Sequence, residues 1–271
     1  MTSMISLKHL LRVSAAGLTL VLLQGCATGP NANPADPLEP FNRSVFNFND
    51  GVDRAILVPV ATAYRDVTPS PVRTGVSNFF SNIGDVWSLV NNVLQLKPKE
   101  SAETVMRISF NTIFGFAGVF DIATMMRLEK HSEDFGQTLG YWGVGPGPYV
   151  VLPLLGPSTV RDSVGTVVDV QADLVNRTNR IPLRNSLATL RVVNARSDFL
   201  DAGQVLEQAA LDKYSFTRDL YLQRRKSLVR DGEPEAEVRY DLPEAASKDA
   251  EERYDLPEAA SKDSATPPAA K

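Results

Sequence analysis

The sequence has a single cysteine among 271 residues, and this scarcity limits its covalent chemistry. With one thiol, at Cys26, the chain cannot form an internal disulfide, so its fold depends on the core. Histidine is nearly as rare: beyond the first 25 residues only His131 remains, which excludes a histidine-based metal cluster. His131 stands in the polar run of residues 129–134, which favours a solvated loop over the alternative, a catalytic base.

The sequence motifs of common enzymes are also missing. The chain has no G-x-S-x-G elbow, no H-E-x-x-H pair and no G-x-x-x-x-G-K-[ST] loop. Gly143-Val-Gly-Pro-Gly147 superficially resembles a dinucleotide-binding loop, but no predicted strand precedes it and the third glycine is not at the required spacing. We therefore predict no catalytic residue, no metal ligand and no cofactor, and a protein that is not an enzyme.

The central part of the chain lacks net charge. Residues 232–271 hold eleven acids and five bases, and Lys8 and Arg12 are the only charges before Cys26, so residues 26–231 are neutral within a total of −4. A nucleic-acid surface needs a basic stripe. The charge distribution therefore excludes nucleic acid as a partner.

The chain begins with the layout of a lipoprotein signal peptide. Lys8 and Arg12 precede an uncharged, mostly apolar run at 13–23, and Leu23-Gln-Gly-Cys26 has the form of a bacterial lipobox. The alternatives are a chance cysteine after an apolar segment, or a membrane span, for which eleven residues are too few. We predict a signal peptide at 1–25, lipid attachment at Cys26 and a lipidated tether over 26–35. Ala27 and Thr28, in place of aspartate, favour the outer membrane.

Between the tether and the tail, the pattern predicts one all-α domain over 36–231. Apolar residues at helical spacing run from Phe41 to Ile56, and other helices are expected from Ser70 to Lys97, over 101–114, after Pro157, and from Leu183 with a break near Asp212. Asp36 resembles the first residue of a capping box, although Pro40 complicates that helix start, and the alternative is a regular helix that begins near Phe41. No alternating run predicts a strand. Residues 239–249 recur letter for letter as 253–263, and we predict a disordered acidic tail over 232–271.

Two apolar regions do not fit a water-soluble helical bundle. Residues 108–126 carry one charge, and residues 135–160 carry none but are rich in glycine and proline, so they cannot form a continuous helix. A loop buried in a soluble domain and a segment beside a cavity in a membrane-set body are both open interpretations. The aromatic residues are open to two interpretations: a position at the level of the lipid headgroups, or one in the core or at its rim. They are Tyr141, Trp142 and Tyr149. The pair Arg161-Asp162 suits either a helix start or a headgroup contact.

Four ordered blocks of residues resemble the MlaA (VacJ) family of outer-membrane lipoproteins. They are DPLEPFNRSVFNFN at 36–49, NTIFG at 111–115, GYWGVGPGPY at 140–149 and LPLLGPSTVRDSVG at 152–165. Pro40 stands where the family usually has glycine, which affects the expected geometry of the first turn. The duplicated tail matches nothing in the family pattern.

The resemblance implies a ring-shaped helical domain with an amphipathic channel, lipid-anchored in the periplasmic leaflet of the outer membrane. Its expected partners are phospholipid, a trimeric porin and a soluble periplasmic phospholipid carrier. Its expected function is to remove mislocalised phospholipids from the outer leaflet and so maintain lipid asymmetry. A structural lipoprotein for porin assembly and a lipid-remodelling enzyme are the competing interpretations. The candidate channel residues are Gly143, Gly145, Gly147, Tyr141, Trp142, Tyr149, Arg161 and Asp162.

Overall fold

The computed structural model describes residue 33 and residues 36–232. The predicted signal peptide, Cys26 and the acidic tail beyond Gly232 lie outside the described residues, as does the tether apart from Asn33. All described residues belong to one unit of the chain.

The described residues form ten α-helices, one π-helix and two short strands. The α-helices are α1 (Glu39–Val52), α2 (Val58–Val67), α3 (Ser70–Leu94), α4 (Pro98–Ile113), α5 (Ile122–Met125), α6 (Phe135–Tyr141), α7 (Val160–Ala172), α8 (Ile181–Asp198), α9 (Leu200–Ala209) and α10 (Lys213–Val229). The π-helix spans Asp53–Leu57, and the strands are β1 (Tyr149–Leu152) and β2 (Gly156–Thr159). The predicted all-α class is confirmed. Within residues 36–232, every helix is too short or too polar to serve as a bilayer span.

The start of α1 differs from the predicted capping box. The helix begins at Glu39, with Leu38 at the N-cap and no side-chain cap, and Pro40 lies in the first turn. A proline costs nothing there, because the first N–H groups of a helix have no intrahelical partner. Asp36 is buried instead, and its carboxylate accepts hydrogen bonds from Asn42 Nδ2 at 2.8 Å and from the Tyr214 hydroxyl. The capping-box prediction was therefore wrong.

The π-helix lies between α1 and α2, so the chain is helical from Glu39 to Val67 without a break. Pro59 lies in the first turn of α2 and has no N–H to offer the carbonyl of Ala55. The helix widens here: the Val58 N–H donates to the Asp53 carbonyl, five residues earlier. The wider turn contains Asp53 and Arg54.

The two strands form a hairpin that the sequence analysis did not predict. β1 pairs antiparallel with β2 in the register Tyr149↔Thr159 to Leu152↔Gly156. Leu154 in the turn and Gly156 at the start of β2 adopt φ of +63° and +84°. β1 is uniformly apolar rather than alternating, and β2 contains Pro157, which is tolerated at the edge of a sheet. Neither strand therefore shows the period-two pattern of an ordinary strand.

The interior of the described domain is unusually polar. Twenty buried side chains are polar or charged and nine are hydrophobic, and the small apolar core consists of Tyr149, Val151 and Tyr214 with their neighbours. Large apolar side chains are instead exposed on most helices and loops, including Phe41, Phe48, Ile113, Phe114, Phe116, Met125, Leu154 and Leu155. Water-soluble proteins have the opposite distribution, with apolar side chains inside and polar ones mostly outside.

Candidate functional site

A cavity of about 850 Å³ lies among α1, α2, β2, α8, α9 and α10. Its apolar walls include Phe46, Val58, Phe199, Val205, Phe216 and Leu220. Four basic and three acidic side chains line the same cavity: Arg54, Arg65, Arg196, Lys213, Asp50, Asp53 and Glu207. A concave, mostly apolar pocket with a few charged groups is the usual form of a small-molecule site. This one is amphipathic.

Most charged residues of the cavity form two ion-pair groups, while Arg65 pairs separately with Asp201 at 2.8 Å. Arg196 donates from Nε and Nη2 to the two carboxylate oxygens of Asp53, at 2.7 and 2.8 Å. Asp50 receives two cations: the Lys213 ammonium contacts Oδ1, and Arg54 Nη2 lies 2.5 Å from Oδ2. Burial would raise the pKa of Asp50, but Lys213 and Arg54 outweigh it and hold that pKa below its ordinary value. Asp50 is therefore ionised at neutral pH.

The first sequence block supplies the contacts that hold the hairpin beside the cavity. Asn42 Nδ2 donates to the Tyr149 carbonyl at 3.1 Å, and its Oδ1 accepts from the Val151 N–H at 2.9 Å. Asn49, two helical turns later, binds the Leu152 carbonyl and the Leu154 N–H at 2.9 and 2.8 Å. The two asparagines thus satisfy backbone groups along one side of the hairpin.

Two of the candidate channel residues, Arg161 and Asp162, lie in a buried ion cluster between α6, α7 and α10. Asp162 accepts from Arg161 Nε at 2.9 Å and from the Tyr221 hydroxyl at 2.9 Å, and Arg225 Nε lies 3.0 Å from its Oδ2. Arg225 also makes a bidentate contact with Asp134, at 2.5 Å to each oxygen. Two arginines and two aspartates therefore neutralise each other inside the domain.

Asp162 is held ionised by these neighbours. Burial alone would raise its pKa, but Arg225 and Arg161 outweigh burial and hold the pKa below its ordinary value. Gly136 and Gly165 allow α6 and α7 to approach closely enough for this cluster to form. A Cβ on Gly165 would lie 2.6 Å from the Gly136 nitrogen.

Tyr149 is also enclosed rather than lining the cavity. Its side chain is fully buried, and within the described residues its hydroxyl has no hydrogen-bond partner. Burial raises its pKa to about 12, so the ring remains neutral. Its edge-to-face contact with Tyr214 places it in the small apolar core.

The other five candidate channel residues are exposed: Tyr141 ends α6, and Trp142 and the three glycines lie in the loop between α6 and β1. Tyr141 and Trp142 are 44% and 60% exposed, and the Trp142 indole N–H donates to the Leu94 carbonyl at 3.0 Å. Gly143 and Gly147 adopt φ of +88° and +68°, which favours glycine, whereas Gly145 does not. None of the eight candidate residues lines the 850 Å³ cavity, to which residues 135–160 contribute only Gly156 and Pro157.

The charged residues of the cavity were missed by sequence reasoning. They come from positions 50–54, 65, 196, 207 and 213, and no spacing along the chain brings these together. One sequence pattern could have indicated them: Asp50 and Asp53 are not among the apolar residues at helical spacing from Phe41 to Ile56.

One surface group within residues 36–232 could supply three metal ligands: Glu103, Glu129 and His131, whose ligand atoms lie within 4.8 Å of one another. His131 Nε2 lies 2.6 Å from Glu103 Oε2. A hydrogen bond between the imidazole and this neighbouring carboxylate accounts for the arrangement.

Comparison with known proteins identifies the relatives of the chain. A family model described as "MlaA lipoprotein" matches residues 34–228. Proteins from Escherichia coli K12 and Shigella flexneri, each named "Intermembrane phospholipid transport system lipoprotein MlaA", are 39% identical over 231 residues, which is 82% of this chain and 90% of theirs. A solved structure described as "Structural basis for maintenance of bacterial outer membrane lipid asymmetry" is 36% identical, with a TM-score of 0.63 over 72% of this chain and 98% of that one.

Proposed function

Since the chain belongs to the MlaA lipoprotein family, we propose that it moves phospholipids at the bacterial outer membrane. It takes phospholipids that have strayed into the outer leaflet and passes them to a soluble periplasmic carrier, which maintains lipid asymmetry. The observation that carries the proposal is the amphipathic cavity, within a domain whose exposed surface is rich in apolar side chains.

The energetics of lipid transfer explain the value of such a cavity. A two-chain phospholipid has about thirty methylenes, and exposing them to water would cost roughly 25 kcal/mol. Moving the charged headgroup through hydrocarbon without polar contacts would also be costly. A path with a charged side for the head and apolar walls for the chains avoids both costs. The lipid is moved without covalent change, so no catalytic residue is required.

The exposed apolar side chains favour a domain set into the periplasmic leaflet. Residues 111–126 illustrate this: Phe116 and Met125 are 77% and 79% exposed, whereas Asn111 donates a hydrogen bond to Asp121 at 3.1 Å. A domain with apolar side chains on its surface and paired polar side chains inside is suited to surroundings of hydrocarbon. A ring-shaped domain with its channel open to both the leaflet and the periplasm is the corresponding architecture.

The lipid anchor is proposed at Cys26, from the lipobox alone. Metabolic labelling with radioactive palmitate tests it: wild-type protein should carry the label and Cys26→Ser should not. An equally labelled Cys26→Ser protein would contradict the assignment.

The loop with Tyr141, Trp142 and the three glycines is proposed to contact lipid at the headgroup level. Gly143→Val should disturb lipid traffic, because valine is strained at φ +88°. Gly232→Val is the matched control, since Gly232 also adopts a positive φ, +79°, in open space but lies outside this loop. Surface phospholipid should rise in cells with Gly143→Val at normal protein abundance; equal levels in both variants would contradict the role of this loop.

The central experiment is mass spectrometry of lipids that co-purify with the full-length protein. Phospholipid should be present, and it should decrease when the periplasmic carrier is added. Release of free fatty acid would indicate a lipid-remodelling enzyme instead. Defective porin trimers in a deletion strain, without surface phospholipid, would indicate a structural role in porin assembly. The trimeric porin is itself a proposed partner, from the family resemblance.

A further inference from the structure

The two ion-pair groups of the cavity differ in how completely their charges are matched. Asp53 and Arg196 pair one to one, and each uses two atoms in the contact. Asp50, by contrast, is the shared partner of both Arg54 and Lys213. Two cations share this one closely paired carboxylate, and the further acid Glu207 reaches only Arg54, at 3.5 Å.

Arg54 is the cation best placed to receive a further anion. Its side chain is 59% exposed, and both of its ion pairs run through Nη2. The second pair, to Glu207, spans 3.5 Å between two side chains that are each more than half exposed, so it contributes little. Nε and Nη1 have no ion-pair partner within the described residues, and a guanidinium offers its donors in a fork that matches phosphate.

We propose that Arg54 and Lys213 form a subsite for the phosphate of a lipid headgroup. The phosphodiester anion takes up the donors of Arg54 that Asp50 does not use and shares the Lys213 ammonium with Asp50. The inference rests on the proposed function and specifies which part of the cavity binds the head. The apolar side chains of the same cavity, such as Phe199 and Phe216, contact the first part of the acyl chains.

The π-helix accounts for the position of Arg54. The wider turn lies between α1 and Pro59, and it holds Asp53 and Arg54 at the cavity while Asp50 remains on the last turn of α1. A π-helix within an α-helix frequently accompanies a functional site. Arg54 is therefore placed on a helical segment rather than on a loop.

The test measures binding of two lipids to the full-length protein in detergent. Short-chain phosphatidylglycerol carries the phosphate, and diacylglycerol with the same chains does not. Arg54→Gln and Lys213→Gln should each bind phosphatidylglycerol about tenfold more weakly than wild type, the effect of losing a charged hydrogen bond. Diacylglycerol binding should not change. Arg224→Gln is the matched control, because Arg224 is exposed on α10 and does not line the cavity.

Three results would overturn the inference in distinguishable ways. If both variants bind phosphatidylglycerol as wild type does, the subsite is wrong although lipid binding stands. If inorganic phosphate displaces phosphatidylglycerol at equal concentration, the site recognises free phosphate rather than a headgroup. If wild-type protein binds neither lipid, the proposed function fails, and the subsite with it.

Discussion

The cavity and the α6–α7–α10 interface contain similar charged side chains, but the interface encloses them and the cavity leaves them open. In the interface cluster, Arg161, Asp162 and Arg225 are enclosed, and the glycines of α6 and α7 leave no room for another group. In the cavity, Asp50 and Arg54 face open space. The comparison indicates that enclosure, more than residue type, separates charges that stabilise the fold from charges available to a ligand.

The largest expected effect on the free energy of unfolding comes from removing a carboxylate of the enclosed cluster. Asp162→Ala would leave Arg161 and Arg225 short of a partner, and breaking a buried ion pair typically costs about 3–5 kcal/mol. Denaturant unfolding of the full-length protein measures this loss. Asp66→Ala is the matched control, because Asp66 is exposed on α2 and should change the free energy of unfolding by less than about 0.5 kcal/mol. Similar losses in the two variants would remove the distinction between enclosed and open charges.

A second prediction concerns the close approach that encloses the cluster. Gly165→Ala would place its Cβ 2.6 Å from the backbone nitrogen of Gly136, which can move only with α6. We expect a loss of about 1–3 kcal/mol from overpacking, measured by denaturant unfolding.

Gly84→Ala is the control for this substitution, because it lies in the middle of α3 with nothing within 4 Å of the new Cβ. Alanine there should stabilise the protein by about 0.5–1 kcal/mol through helix propensity. A stabilised Gly165→Ala protein would show that α6 and α7 do not require the glycine contact.

The limits of sequence reasoning are clearest in α1. The spacing of Phe41, Val45 and Phe48 predicted the helix, and the helix is there. An apolar stripe usually faces a protein core. Here Phe41 and Phe48 are more than half exposed, and the buried position is Asn42. Periodicity therefore located the element without telling which side faces the protein, because that depends on whether the surroundings are water or hydrocarbon.

The candidate site was predicted less well than the helices. The uncharged stretch 135–160 suggested one continuous feature, but it divides into α6, an exposed loop and the hairpin. Arg161 and Asp162 were left open between a structural and a headgroup role, and the structure encloses both in the domain. The cavity charges come from distant parts of the chain, so only the tertiary structure brings them together.

A third prediction concerns the loss of a carboxylate from the charged residues of the cavity. Asp53→Ala leaves Arg196 unpaired, but its side chain is 21% exposed in a cavity and can be solvated. The loss of stability should therefore be about 1 kcal/mol, well below that of Asp162→Ala. Unfolding of both variants in the same buffer gives the comparison directly. A loss as large as that of Asp162→Ala would mean that the cavity is closed to water.

The smallest expected effect is a pH dependence of the free energy of unfolding that comes from Asp50 in the cavity. The pKa of Asp50 is lowered in the folded protein from an ordinary value of 3.8, so its ionised form contributes stability above about pH 4. This contribution is lost as the pH falls through the lowered pKa, because the folded state then gives up its preference for the ionised carboxylate. Asp50→Asn cannot titrate, so its free energy of unfolding should fall less than that of wild type between about pH 5 and pH 2. Parallel pH profiles would mean that Lys213 and Arg54 do not stabilise the Asp50 carboxylate, and the shared-carboxylate arrangement behind the phosphate subsite would lose its support.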